Sequence, residues 1–176
     1  MSNRYWTPGR LGLGVMVIAM IAFWGWIYIF ASRENVDRFS ERAFPEAAEP
    51  MCAAIQAEIL ALPSGQTAET PLERSEQVRA ATDLTIEMVD GLRALLPLVN
   101  DQEDVDRLGR WLEDWDVYIQ DREAHVVRLR EATEDTADRD LAFLVSERVS
   151  GGFYTARMDG LANVNDMESC HVPQDI

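Results

Sequence analysis

Apolar positions fall into two regimes along the chain. From Leu11 to Ala31 they are continuous, LGLGVMVIAMIAFWGWIYIFA, 21 residues without a charge. As a helix this run is about 31 Å long, the thickness of a bilayer core. Beyond it the apolar residues are spaced for helices with one buried face. Met51, Ile55, Ile59 and Leu62 recur at steps of four, four and three, and Pro50 suits the first turn of that helix. Thr70-Pro71-Leu72-Glu73 is a start signal, with a Thr cap, Pro at the first helical position and Glu three residues after the cap. Val78, Ala81, Thr85, Met88, Leu92 and Leu95 follow on one stripe and stop before Pro97.

Asn100 with Glu103 repeats the capping pattern and opens the most regular segment, predicted over Asp101 to Thr133. Its stripe is Val105, Leu108, Leu112, Trp115, Ile119, Arg122, Val126 and Leu129, with Arg122 the one position that is not apolar. A fourth helix after the polar turn 134–138 places Leu141, Val145, Val149, Gly152, Ala156, Gly160, Val164 and Met167 on one face, with a break or kink expected at Gly151-Gly152. No segment sustains the alternation of a strand. The fold expected is all-α: one N-terminal transmembrane helix, then an antiparallel up-down four-helix bundle. In this division 1–10 is a short cytoplasmic N-terminus, 11–31 the anchor, 32–50 a juxtamembrane stalk, 51–170 the bundle and 171–176 a C-terminal tail.

The aromatic residues support the anchor: Tyr5 and Trp6 precede it, and Trp24, Trp26 and Tyr28 crowd its far end, as at the two interfaces of a bilayer. A cleaved signal peptide is the competing reading, but the run is longer than a signal core and Ile29 stands where a small residue is usual before a cleavage after Ala31. Met51 and its neighbours make no lipobox before Cys52. Gly12, Gly14 and Gly25 form no GxxxG pair.

Flanking charge barely orients the helix, since Arg4, Arg10 and the terminal amine face Arg33, Arg38 and Arg42. The two cysteines orient it instead. In an up-down bundle Cys52, at the start of the first helix, and Cys170, at the end of the fourth, share the membrane-proximal end, where a disulfide is geometrically allowed. Two unrelated thiols are the alternative. A bridge implies an oxidising compartment, hence a cytoplasmic N-terminus and an extracytoplasmic domain at the cell membrane.

Charge removes one class of partner. All 16 basic residues are Arg, and after residue 31 there are 14 of them against 31 Asp and Glu, a formal −17. Such a surface repels nucleic-acid phosphates, so no nucleic-acid partner is expected. Candidate chemistry is thin. His125 lies one turn after Asp121, and His171 lies three residues after Glu168, but a di-iron bundle needs Glu-x-x-His on two helices. Asp101, Glu103, Asp104 and Asp106 lack the Gly turn and terminal Glu of an EF-hand loop and match the acidic first turn of a helix. No Walker loop, nucleophile elbow or zinc-protease helix is present. No catalytic residue, metal or cofactor is therefore expected. Trp111, Trp115 and Tyr118, opposite the small residues Gly152, Ala156 and Gly160, mark either interhelical packing or a pocket.

The run Gly160-Leu161-Ala162-Asn163-Val164-Asn165-Asp166-Met167, then Cys170 and Pro173, with Trp115, Asp121-Arg122 and Leu129-Arg130, resembles uncharacterised single-pass membrane proteins of actinobacteria. The resemblance implies source and topology and carries no activity. The function expected is a binding or structural module, an accessory subunit or partner of another envelope protein, anchored in membrane lipid through 11–31. A ligand-sensing four-helix domain signalling through a partner is the alternative, and an enzyme comes third.

Overall fold

The computed structural model describes residues 8–30, 35–146 and 153–176. It divides into two units, Met1–Asn35 and Val36–Ile176. In the first, α1 (Pro8–Phe30) is a single helix whose large apolar side chains from Leu11 to Phe30 are exposed, Ile27 alone being half-buried. It is long and apolar enough to cross a membrane. Ala31, the last residue of the predicted anchor, lies outside the described residues.

The regular structure among the second unit's described residues is all helix, with α2 (Ala43–Ala61), α3 (Pro71–Ala94), α4 (Gln102–Arg130) and α5 (Tyr154–Val164). From α3 on, each helix runs against its predecessor. Met51 of α2 lies on Gly91 near the end of α3, so closely that a Cβ there would stand 2.5 Å from the Met51 sulfur. Arg122, late on α4, reaches Val78 and Thr82, early on α3. Along α5, Tyr154, Arg157 and Met158 meet Asp121, Asp114 and Trp111 of α4 in reverse order. The core is built from Phe44, Cys52 and Ile55 of α2, Met88 and Leu92 of α3, Leu108, Trp111, Trp115 and Tyr118 of α4, and Tyr154 and Met158 of α5. Cys52 and Cys170 are disulfide-bonded, their Cα atoms 5.1 Å apart.

The start of α3 is as predicted: the Thr70 hydroxyl accepts from the Glu73 amide, and Pro71 occupies the first turn. Three boundaries differ. First, α2 opens at Ala43, so Pro50 stands inside the helix and residues 43–50, predicted as stalk, belong to the domain. Phe39, Phe44, Pro45 and Ala48 are buried, and that burial outweighs the helix hydrogen bond Pro50 cannot make. The stretch before α2 is pinned as well. Asn165, fully buried, accepts from the Phe39 amide and donates to the Asp37 and Leu161 carbonyls. Asp104 accepts from the Ser40 amide and hydroxyl.

Second, the cap of α4 is Asp101, whose carboxylate accepts from the Glu103 and Asp104 amides, while the Asn100 side chain donates to Glu41. Third, the predicted long fourth helix is not continuous among the described residues. After the turn Asp138–Leu141, residues 142–146 are irregular, and the next described helix, α5, begins at Tyr154 after the non-helical Phe153. Phe143 and Val145 are half-buried while Ala142, Leu144 and Ser146 are exposed, the alternation of an extended strap. Asp121 fastens this strap by accepting from the Ser146 amide and hydroxyl. Val149, Gly151 and Gly152 lie outside the described residues.

Candidate functional site

The aromatic trio of α4 is core. Trp111, Trp115 and Tyr118 stack edge to face in series, with ring centroids 6.0 and 5.8 Å apart, and Trp111 Nε1 donates to the Met158 carbonyl. The small residues do not face them. Ala156 and Gly160 are exposed, and a Cβ added at Gly160 would meet nothing within 4 Å. The face of α5 that meets the trio is Tyr154, Met158, Leu161 and Ala162, offset from the predicted stripe because α5 starts its own register at Tyr154. Gly152 lies outside the described residues. Asp121, considered with His125, is engaged by Ser146 and Tyr154. Burial, then the bond to Asp121, push the Tyr154 hydroxyl above its ordinary pKa.

The polar centre of the domain is instead the exceptional residue on the α4 stripe. The strict spacing that buries Leu108, Trp115 and Leu129 carries Arg122 into the core as well, fully buried. All five of its N–H donors find acceptors. Nε donates to the Thr82 hydroxyl at 2.8 Å, and Thr82 in turn donates to the Val78 carbonyl. One terminal nitrogen donates to the Tyr118 hydroxyl at 3.0 Å and to Asp175 Oδ1 at 2.8 Å. The other donates to the Val78 carbonyl at 3.4 Å and to Asp175 Oδ2 at 2.6 Å. Burial opposes the guanidinium charge, but the Asp175 bonds and the neighbouring Tyr118 hydroxyl more than offset it, and the pKa stays above the ordinary arginine value. Burial raises the Tyr118 hydroxyl in the same way.

Asp175 arrives on the segment predicted as a C-terminal tail. Residues 171–176 are instead laid along the bundle. Gln56 donates to the His171 carbonyl, the Val172 amide donates to Asp159, and Tyr118 donates to the Pro173 carbonyl. Ser64 and Gln66, from the α2–α3 turn, donate to the carbonyls of Asp175 and Ile176. Pro173 is buried, and Ile176 packs on a small apolar cluster of Val78, Val126 and Leu129. Gly65 lets the turn come this close: a Cβ there would lie 3.0 Å from a Val78 methyl and 3.4 Å from the Asp175 carbonyl oxygen. Beside Pro173 the surface opens into a groove of about 450 Å³ between Tyr118, Phe143, Asp159 and Gln174.

One turn past this Arg122–Asp175 clasp on α4 sits His125, fully buried, its ring 5.4 Å from that of Phe143 and its Nε2 without a hydrogen-bond partner among the described residues. Burial first, then the charges of Arg74, Arg128 and Arg122, push its pKa down to about 4. The sequence marked Arg122 as an exception but offered no partner for it. Only the packing brings Asp175, 53 residues away, to the guanidinium.

A second groove, about 550 Å³, runs between the end of α2 and the middle of α3. Its lining combines the apolar Ala61, Leu62, Ala80 and Leu84 with the acidic Glu58, Asp83 and Glu87. No protein-family model, curated protein or solved structure matches the chain significantly.

Proposed function

We propose that the chain is a membrane-anchored, extracytoplasmic helical module that binds another protein of the cell envelope as an accessory subunit or partner. The observation that carries this reading is the pairing of an uncovered apolar helix with a disulfide-closed domain. A helix with nearly all of its large apolar side chains exposed needs a nonpolar solvent, and the bilayer supplies one. A bridge spanning 118 residues is stable where thiols are oxidised. Together they favour an N-terminus in the cytoplasm and the domain outside it.

Partner binding is favoured over catalysis by what the domain presents. Its polar centre is spent internally on Asp175, Tyr118 and Thr82, whereas the groove between α2 and α3 offers apolar area together with acidic side chains. Ligand sensing is the second reading. The groove at Tyr118, Phe143 and Gln174, and no space among Trp111, Trp115 and the small residues of α5, is where it would place a ligand. Cross-linking in intact membranes followed by mass spectrometry tests the first reading. One recurrent envelope protein captured through the domain is expected, and a chain captured only with itself would sink it.

A further inference from the structure

The contacts made by Val172–Ile176 have the form of a bound peptide. The domain's side chains Ser64, Gln66 and Tyr118 donate to the segment's backbone carbonyls, contacts that any extended peptide could accept. Its side chains add three anchors within four residues. Pro173 is buried, the Asp175 carboxylate takes both terminal nitrogens of Arg122, and Ile176 enters the Val78–Val126–Leu129 cluster. The groups that aim the receptor's arginine lie outside the segment. Arg122 is aimed by Thr82 and Val78 of α3 and by Tyr118 of its own helix, none of which belongs to the segment. A buried guanidinium is a poor stabiliser compared with an apolar residue of its size, so its place on an otherwise apolar stripe is better explained by recognition than by packing.

We propose that this cleft is a peptide-binding site filled in cis by Val172–Ile176, and that a partner enters it by displacing that segment. The partner's segment would be extended, with an aspartate for Arg122 and an apolar side chain after it. The proposal rests on reading the chain as a partner-binding module and deepens it, naming the chemistry that the partner must present. Because the cis segment is held at high effective concentration, the intact site is closed to a weak competitor and open to a strong one.

The test uses the full chain in detergent, with a fluorescent, end-capped peptide of sequence Val-Pro-Gln-Asp-Ile as probe and fluorescence polarisation as readout. Chain terminated after His171, which keeps both cysteines, is expected to bind the peptide saturably, at least about tenfold more tightly than the intact chain does. Replacing the peptide's aspartate by asparagine, or Arg122→Gln in the terminated chain, should each remove about tenfold of that affinity. If the shortened chain does not fold, full-length Asp175→Asn carries the test, since its weakened cis segment should yield to the aspartate peptide. A folded variant that binds the aspartate and asparagine peptides alike would overturn the proposal. So would loss of helical circular dichroism in both variants, which would make the segment part of the core. The peptide assay reads the cleft alone and membrane cross-linking reads the partner, so the two ideas fail separately.

Discussion

Arg122 and His125, one turn apart on α4, show how differently two buried basic side chains are handled. Arg122 keeps its charge because every donor is met, and the energetic consequence is asymmetric. Weakening its anion leaves an under-paired guanidinium in the core, whereas replacing the arginine leaves Asp175, which is nearer the surface and can rehydrate. Asp175→Asn is therefore expected to cost about 1–3 kcal/mol, and Arg122→Met less than that, as read from thermal melts followed by circular dichroism. An Arg122→Met variant that melts well below Asp175→Asn would contradict this accounting. His125 instead gives up its charge. An unfolded histidine takes its proton near pH 6.5, and this one only near 4. Between those values the unfolded chain holds the extra proton, so the histidine's contribution is complete above about pH 7 and is lost as the pH falls toward 4. The loss should be on the order of 2–3 kcal/mol, and His125→Leu should flatten the acid side of the stability profile.

At the scale of elements, α3 and α4 were legible in the sequence because start signal and stripe agree over many turns, Thr70 with Pro71 and then Val78 to Leu92 in α3 and Leu108 to Leu129 in α4, although Asp101 and not Asn100 caps α4. Where two signals conflict, periodicity alone chose wrongly. Leu141 and Val145 fit a helical step of four, but Phe143 between them is also turned inward, and alternation is what the strap adopts. The offset of α5 follows from the same error, since a register extended from Leu141 puts Ala156 and Gly160 inward in place of Met158 and Leu161. Pro50 misled in the opposite direction. As a good first-turn residue it suggested a start, while Phe44 and Ala48, four positions apart, already form a buried face upstream. Its place inside α2 and its exposure make a specific prediction. Pro50→Ala restores a helix hydrogen bond at a site with no packing to lose, so it should raise stability by roughly 1–2 kcal/mol in the same melts, after the greater freedom of the unfolded chain is subtracted. An unchanged or lower melting temperature would mean that Pro50 sets a bend the core requires.

At the scale of the whole molecule, the pairing of cysteines was legible from the order of helices because only the two ends of an antiparallel set need to meet, whatever happens between them. That inference survived the irregular strap at 142–146, since Cys170 follows α5 by six residues and α5 still runs against α4. The clasp was not legible, because no periodicity links position 122 to position 175. The two features act on one stretch of chain. Cys170 ties the start of the stretch to α2, and Asp175 ties its far part to α4. Closing a loop of 118 residues removes unfolded-state entropy worth about 4–5 kcal/mol, a large share of the stability of a domain this size. Without the bridge, Asp175 must find Arg122 from a longer free arm, so the clasp weakens with it. Cys52→Ser with Cys170→Ser should therefore lower the melting temperature steeply, and adding Asp175→Asn should cost measurably less than it does in the bridged protein, a coupling of about 0.5 kcal/mol or more. Strict additivity would show that bridge and clasp hold separate parts of the fold. Location enters through the same thiols. Protein extracted from membranes without reductant should take up no alkylating reagent, whereas two reactive thiols in the native protein would place the domain in a reducing compartment and overturn the outward orientation.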